Sequence, residues 1–324
     1  MDAAADGHFH RRQYPVCDRA GLCEPMIARV ITLFAHGSFF GIGSVVAASL
    51  VPQNKRASAI ALMFTGLALA NVLGVPLGTF IRQMLGWRAA SWAVAGAGVL
   101  AAIALFVLVP DRHDSGPLSL RDEVGVLAQP HVWLALLMTE LGFGGVFVVF
   151  TYITPILEQV SGFAPRSITL LLVLFGVGLA IGNAVGGKLA DRGGRRALAA
   201  IFTALVAIMA VFSHSMHSPI PAMATLFIWG IAAFATIAAL QTRVLSKASN
   251  APDLASTLNV GAFNIGNALG AWLGGLVIAG CHPLDSLPWV AALVSLGVTV
   301  VAMRLDARDA SAQTAHTTTS ASQD

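Results

Sequence analysis

The chain has 324 residues, of which 56% are hydrophobic and only 11% are charged, and its mean hydropathy is +0.76. About a quarter of the residues in soluble domains are charged, so this composition excludes a soluble globular protein and predicts a protein embedded in a lipid bilayer. The formal net charge is +3, but the basic residues are scattered over short loops, and we therefore expect no nucleic-acid partner.

Long apolar segments dominate the chain. They are about 20 residues long and do not alternate with a period of two, which predicts membrane-spanning α-helices rather than barrel strands. Turn and charge signals such as VPQNKR, ADRGGRR and KASNAPD separate them. Nine spans follow, over residues 27–50, 57–81, 89–109, 132–156, 167–190, 196–213, 221–244, 256–280 and 288–304. The predicted fold class is an all-α polytopic membrane protein.

The longest loop between spans divides three spans from six. Six spans are half of the commonest transporter architecture, in which two six-helix halves are related by a pseudo-twofold axis. Three plus six spans predict a partial fold with helices 4–12 of the usual twelve. We predict a polar N-terminal segment over residues 1–25 and a group of three spans over 26–110. A cytoplasmic central loop over 111–130 then leads to a group of six spans over 131–305 and a disordered tail over 306–324.

Lysines and arginines predict the orientation. With the ADRGGRR loop in the cytoplasm, the internal loops hold most of these residues, whereas the external loops hold Arg82, Arg88 and Arg166. This puts the C-terminus in the cytoplasm of a multi-pass protein of the plasma (inner) membrane. It also puts the N-terminal stretch HFHRRQYPVCDRA outside, although adjacent arginines are hard to translocate.

Five stretches carry a family resemblance, and in chain order they are ARVITLFAHGSFFGIGSVVAASLVP, GLALANVLGVPLGTFIRQMLGWR, TYITPILEQVSGF, GVGLAIGNAVGGKLADRGGRRAL and LNVGAFNIGNALGAWLGGLVI. They resemble helices four, five, seven, eight and eleven of drug:H+ antiporters of the major facilitator superfamily, in the branch of arabinose-efflux-type permeases and chloramphenicol exporters. The resemblance covers roughly residues 26–305. It implies a transporter, not an enzyme, that needs no cofactor beyond a proton gradient.

The densest run of charge, GGKLADRGGRRAL, is similar to the family's signature loop, G-x-L-a-D-r-x-G-r-r. The matching positions are Gly187, Leu189, Asp191, Arg192, Gly194, Arg195 and Arg196. A carboxylate such as Asp191 can accept hydrogen bonds from a helix N-terminus or pair with an arginine. The resemblance implies a gating latch between helix bundles on the cytoplasmic side. The alternative is that these charges only set the topology.

The stretch NVLGVPLG resembles the family's antiporter motif, G-P-x-x-G, and departs from it by Val75 between Gly74 and Pro76. Gly74 and Gly78 form a face of small residues that allows close helix packing, and Pro76 should kink the helix. The resemblance implies an exporter sealed against proton leak. The alternative is ordinary helix packing.

Polar side chains within the spans are candidates for proton coupling or for lining a cavity. The resemblance implies a coupling role for Arg29, and His36 lies on nearly the same helix face. Glu140 lies deep in a span, where ionising a carboxyl is costly, and Asn264 and Asn267 share one face of another span. Interface snorkelling or hydrogen bonding between helices explains these residues as well.

These amides, with the aromatic residues Phe143, Phe147, Tyr152 and Trp229, predict a cavity for a moderately polar small molecule. We expect no metal site, and the sequence has neither a Walker loop nor a dinucleotide fingerprint.

The predicted function is proton-coupled efflux of a drug, sugar or related metabolite across the lipid bilayer by alternating access. One alternative is a truncated, non-transporting membrane fragment from a frameshift or a misplaced start, because residues 1–25 do not resemble a third helix. The other is an importer of the same fold.

Overall fold

The computed structural model describes residues 23–108, 125–193, 195–248 and 251–320. All regular structure in these residues is helical, which confirms the predicted fold class. The helices are α1 (Cys23–Ser49), α2 (Arg56–Leu69), α3 (Val75–Leu85), α4 (Trp87–Leu108), α5 (Pro130–Phe150), α6 (Pro165–Gly193), α7 (Arg195–Ser215), α8 (Pro219–Lys247), α9 (Pro252–Ala279) and α10 (Leu287–Ser320). Within the described residues, seven helices, α4 to α10, are long and apolar enough to cross a membrane.

Each of the nine predicted spans falls on one of the helices α1 to α10, except that the second comprises α2 and α3 and the fourth, 132–156, runs past the end of α5 into a short helix, Ile153–Pro155. The π-helical segment Ala70–Gly74 joins α2 to α3, so the span from residue 57 to 81 is one interrupted helix. Pro76 is the second residue of α3, two positions after the interruption. A proline has no N–H to donate and its ring crowds the preceding turn, which explains an irregular turn at this place.

The C-terminal helix is longer than predicted. Helix α10 extends to Ser320 and therefore includes most of the segment 306–324 that the sequence predicts to be disordered. Alanine, arginine and glutamine favour helix and are frequent where this segment begins, in LDARDASAQ. Most of the polar segment 1–25 and of the central loop 111–130 lies outside the described residues.

Helices α5 to α10, the six-span group, pack mainly as α6 on α8, α5 on α9 and α7 on α10. Glycines allow the closest approaches: a Cβ at Gly182 or Gly186 of α6 would collide with the backbone of α8 at Ile231 or Ala235. These positions therefore serve packing. The fully buried Phe202, Phe212 and Trp229 belong to the core of this group.

Helices α1 to α4, the three-span group, rest on the six-span group mainly through α2 against α6 and α1 against α9, with a smaller contact of α2 against α8. Helix α4 packs chiefly against α3 and has no buried residue. Its apolar side chains, such as Trp92 and Phe106, are exposed, which is the expected state of a surface whose solvent is lipid.

Candidate functional site

A cavity of about 720 Å³ lies where the two groups of helices meet. Helices α1, α2, α3, α5, α6, α8 and α9 all contribute to its wall. A volume of this size suits a drug-sized molecule, since ligand pockets have about 300–1,000 Å³. The cavity is thus a shared site, formed only while the two groups face each other.

Phenylalanine dominates the wall. The phenylalanine residues that line it are Phe40, Phe64, Phe80, Phe143, Phe147, Phe150, Phe175, Phe234 and Phe263. Many of the rings pack on one another: Phe143 and Phe263 meet edge to face with centroids 4.9 Å apart, and Phe40 stacks on Phe64 at 5.1 Å. The wall is therefore a preformed aromatic surface.

Two of the aromatic residues predicted to line the cavity do not do so. The Tyr152 hydroxyl donates a hydrogen bond of 2.9 Å to the backbone oxygen of Ala271, which ties α9 to the chain just after α5. Trp229 is fully buried beside the cavity wall, in contact with Phe175 and Phe212. Phe143 and Phe147 line the cavity as predicted.

Of the polar candidates, the structure brings His36, Asn264 and Asn267 together in the cavity wall. The His36 ring packs against Phe40 with centroids 4.7 Å apart, and the Asn264 side chain donates to the backbone oxygen of Val260 at 2.8 Å. Among the described residues, His36 is the titratable side chain that lines the cavity.

Two other candidates are not in the described wall. Glu140 is half-buried on α5, at the point where its backbone oxygen lies against Gly266 of α9, and it does not line the cavity. Arg29 lies on α1, and its side chain is outside the described residues. No group of three His, Cys, Asp or Glu side chains in the described part of the chain lies close enough to hold a metal ion.

Asp191 binds the first turn of α2, in the other group of helices. Its carboxylate accepts hydrogen bonds from the backbone N–H of Ala57 at 2.8 Å and of Ser58 at 3.0 Å, and from the Ser58 hydroxyl at 2.5 Å. Helix α2 has no side-chain cap from its own N-cap residue, Lys55. Asp191 therefore satisfies N–H groups that a helix start leaves unpaired, and its charge suits the positive end of the helix dipole.

The signature glycine explains how α6 comes this close. A Cβ at Gly187 would lie 2.9 Å from the Ser58 Cα and 3.0 Å from the Ala57 backbone oxygen, closer than such atoms pack. Arg192 and Arg196 are exposed, whereas Gly194 and the Arg195 side chain lie outside the described residues. The loop thus combines a carboxylate that bonds with a glycine that leaves room for it.

Farther from the signature loop along α6, the Asn183 side-chain amide donates a hydrogen bond to the Ala61 backbone oxygen. It donates a second one, of 3.2 Å, to the Thr65 hydroxyl. We refer to these contacts of Asp191 and Asn183 with α2 as the α2–α6 bridge. Short hydroxyl side chains such as Ser58 and Thr65 give no sequence signal for such a role, because serine and threonine are common at all membrane helix contacts.

A second bridge, the α1–α9 bridge, is made by a buried polar network. The Ser256 hydroxyl donates to the Gly41 backbone oxygen of α1 at 2.7 Å. Gln241 of α8 donates to Ser256 and accepts a bond of 2.5 Å from the Asn259 amide. A Cβ at Gly41 would collide with Thr257, so the two helices touch at their backbones.

Both bridges lie toward the same end of the bundle, where α2 begins, α6 ends and α9 begins; we name it the latch end. The cavity lies farther from this end. On α6 it is lined from Thr169 to Leu179, before Asn183, and on α9 from Val260 to Asn267, after Ser256. The bridges therefore close the cavity toward the latch end.

The antiporter motif lies away from both bridges. No atom of another helix or side chain lies within 4 Å of the place that a Cβ would take at Gly74 or Gly78. The close helix packing that these glycines predict is thus not made by the described residues. The Pro76 side chain lies outside them, and the irregular turn before it is the feature of the motif that is visible here.

Residues 25–258 match the family model of the Major Facilitator Superfamily. The chain is 43% identical to the inner membrane transport protein YdhP of Escherichia coli K12 over 283 residues. These residues cover 87% of this chain and 72% of that protein. It is 33% identical over 247 residues to a chloramphenicol resistance protein of Streptomyces lividans, covering 75% of this chain and 63% of that protein.

A probable sugar efflux transporter of Helicobacter pylori is 30% identical over 253 residues, which cover 78% of this chain and 65% of that protein. Among solved structures, the fucose:proton symporter FucP of E. coli has a similar fold, with a TM-score of 0.64 and 14% sequence identity over 82% of this chain and 72% of that chain.

Proposed function

Because this chain belongs to the Major Facilitator Superfamily of membrane transporters, we propose that it exports a small molecule across the inner membrane in exchange for protons, by alternating access. It is a multi-pass membrane protein and not an enzyme. The observation that carries the proposal is a cavity between two helix groups that is closed at one end by hydrogen bonds between those groups.

Alternating access requires a closure that is strong enough to hold and weak enough to break. Hydrogen bonds to charged groups contribute about 1.5–3 kcal/mol each, and interconverting protein conformations differ by a few kcal/mol. The Asp191 contacts are thus of the size that decides between two states. In this proposal the signature loop, residues 187–196, is a gate: Asp191 and Gly187 hold α2 in one state and release it in the other.

The distribution of basic residues supports a cytoplasmic latch end. Lys55, Arg56, Arg192 and Arg196 cluster there, as the positive-inside rule requires. The described state is then closed to the cytoplasm, and the C-terminus lies on the cytoplasmic side.

Protons couple to transport where a titratable group shares the cavity with the substrate. His36 meets this condition, since its imidazole can carry a proton and it lines the cavity, where Asn264 and Asn267 supply hydrogen bonds beside it. If Arg29 or Glu140 takes part in proton coupling, it does so outside the described cavity wall. No cofactor is needed, because the energy comes from the proton gradient.

Export, rather than import, is supported by two relatives, a chloramphenicol resistance protein and a probable sugar efflux transporter. The motif of Gly74, Pro76 and Gly78 supports it as well, by its likeness to the antiporter motif.

Reconstitution tests the proposal. The purified chain is placed in liposomes that enclose a pH-sensitive dye, a pH gradient is imposed, and chloramphenicol or a hexose is added. We expect one of these additions to start proton movement against the direction of substrate movement. The fucose:proton symporter FucP, tested alongside with fucose, shows that the assay detects proton movement. If FucP moves protons and this chain moves none, the non-transporting alternative replaces the proposal; movement of protons and substrate in the same direction by this chain establishes an importer.

A further inference from the structure

The chemical character of the cavity wall narrows the substrate class. Nine phenylalanine rings line it, and the side chains there that can hydrogen-bond are His36, Thr169, Asn264 and Asn267. No aspartate or glutamate is among the lining residues that the structure describes. The relatives include both a probable sugar efflux transporter and a resistance protein for an aromatic antibiotic, so the wall decides between substrate chemistries that the family likeness leaves open.

A sugar fits this wall poorly. Each hydroxyl that enters an apolar site without a partner loses about 1–3 kcal/mol of hydration. A hexose carries hydroxyls around its whole ring, whereas the described wall offers four hydrogen-bonding side chains among nine phenylalanine rings, and one of the four, Asn264, already donates to its own helix. The phenylalanine rings of the wall would lie against the hydroxyl-bearing edge of the sugar as well as against its apolar faces.

An organic cation fits poorly for a different reason. Aromatic faces attract a cation by about 0.5–2 kcal/mol each, but taking an ion out of water costs several kcal/mol unless an opposite charge meets it. The described wall offers no carboxylate, and its histidine becomes positive when protonated. A permanent cation would therefore bind this wall weakly, and protonated His36 would repel it.

We propose that the cavity takes an uncharged molecule with one or two aromatic ring systems and few hydrogen-bonding groups, in preference to a sugar or an organic cation. Offset and edge-to-face ring contacts bind such a molecule at several positions in the wall, while Asn264, Asn267 and Thr169 fix its orientation. This inference deepens the proposed export function and rests on it, but it is tested by binding alone.

The test measures binding to the full chain in lipid nanodiscs by equilibrium dialysis, with protein-free nanodiscs subtracted. Three probes represent the three chemistries: N-phenyl-1-naphthylamine, D-glucose and tetraphenylphosphonium. We expect saturable binding of the neutral aromatic amine and no saturable binding of the other two over the same concentrations.

Variants locate the binding in the cavity. Phe147 and Phe234 are only partly buried and line the wall, so Phe147→Ala and Phe234→Ala should each weaken amine binding about tenfold. Phe106→Ala is the matched control, because Phe106 is 91% exposed on α4 and is outside the wall. Asn264→Asp adds a carboxylate of equal size and should create tetraphenylphosphonium binding.

Tighter wild-type binding of glucose or tetraphenylphosphonium, or no saturable binding of the amine, overturns the inference. So does an equal loss in Phe106→Ala. Amine binding as expected, with no proton movement in liposomes, would overturn the export function and leave this inference standing. Sugar-driven proton movement without amine binding would do the reverse.

Discussion

Asp191 is the residue on which the closure of the cavity depends most directly. Its two oxygens accept three hydrogen bonds from the first turn of α2, and Asp191→Asn removes the charge and replaces one acceptor by a donor. We expect the latch end to open more often, because the remaining contacts lose charge assistance. The measurement is labelling of a cysteine placed at Thr65 by a membrane-impermeant maleimide, with Cys17, Cys23 and Cys281 replaced by alanine.

The labelling rate should rise about tenfold or more, which corresponds to the loss of one charge-assisted hydrogen bond. Asp285→Asn is the matched control, since Asp285 is an exposed carboxylate that pairs with His217 at 3.5 Å, away from the latch end. Unchanged labelling in Asp191→Asn, or an equal rise in Asp285→Asn, contradicts the gating role.

His36 and Glu140 are rival sites for proton coupling, and the structure separates them by position. His36 lines the cavity and Glu140 does not. We expect His36→Gln, which keeps hydrogen bonding but cannot titrate, to abolish uptake driven by a pH gradient while leaving substrate exchange at equal pH intact. Glu140→Gln should leave both intact. Loss of gradient-driven transport in Glu140→Gln alone would transfer the coupling role to that carboxyl.

The sequence predicts which residues are unusual but not what they touch. Asp191 stands out as a carboxylate in a basic loop, and a helix N-terminus was one of two partners open to it. That the partner is α2 depends on a contact across more than a hundred residues, which no local pattern encodes. Tyr152 and Trp229 show the same limit, because an aromatic ring in a span fits a cavity wall and a helix core equally well.

At the scale of elements, the interrupted second span is the feature with the clearest test. Pro76 follows the π-helical segment Ala70–Gly74, and restoring an N–H by Pro76→Ala should let α2 and α3 form one regular helix. If the kink seals the exporter against leak, liposomes with this variant should lose an imposed pH gradient faster without substrate. The control is Pro219→Ala, because Pro219 occupies the first turn of α8, where no N–H is needed.

A gradient that decays at the wild-type rate in Pro76→Ala would remove the sealing role from the motif. A similar acceleration in Pro219→Ala would instead indicate general damage to the bundle.

Helix positions were predicted well because the bilayer sets the length of an apolar span and charged loops mark its ends. Which face of a helix meets the cavity was predictable only where polar side chains mark that face, as Asn264 and Asn267 do on α9. Where a helix is apolar all round, lipid, core and cavity accept the same residues. The extent of α10 was missed for a related reason: a polar, alanine-rich segment such as LDARDASAQ is consistent with a tail or with an exposed helix.

At the scale of the whole molecule, two bridges join the same two groups of helices through different helix pairs. The α2–α6 bridge depends on Asp191 and Asn183, and the α1–α9 bridge on Gln241, Ser256 and Asn259. The α1–α9 contacts are fully buried, and their loss leaves polar groups without partners in an apolar interior. Alternating access as a rigid-body motion requires both bridges to break together.

This requirement gives a prediction about cooperativity. If the groups move as rigid bodies, Asp191→Asn and Ser256→Ala act on one equilibrium, and each should raise maleimide labelling of both a Thr65→Cys reporter on α2 and a Ser44→Cys reporter on α1. Their effects on the opening free energy should then add in the double variant. If each bridge frays locally, Asp191→Asn will expose only position 65 and Ser256→Ala only position 44, and the rigid-body mechanism fails. Thr299→Ala provides the control, because Thr299 is buried in α10 and its hydroxyl bonds only within that helix, to the Ser295 backbone oxygen.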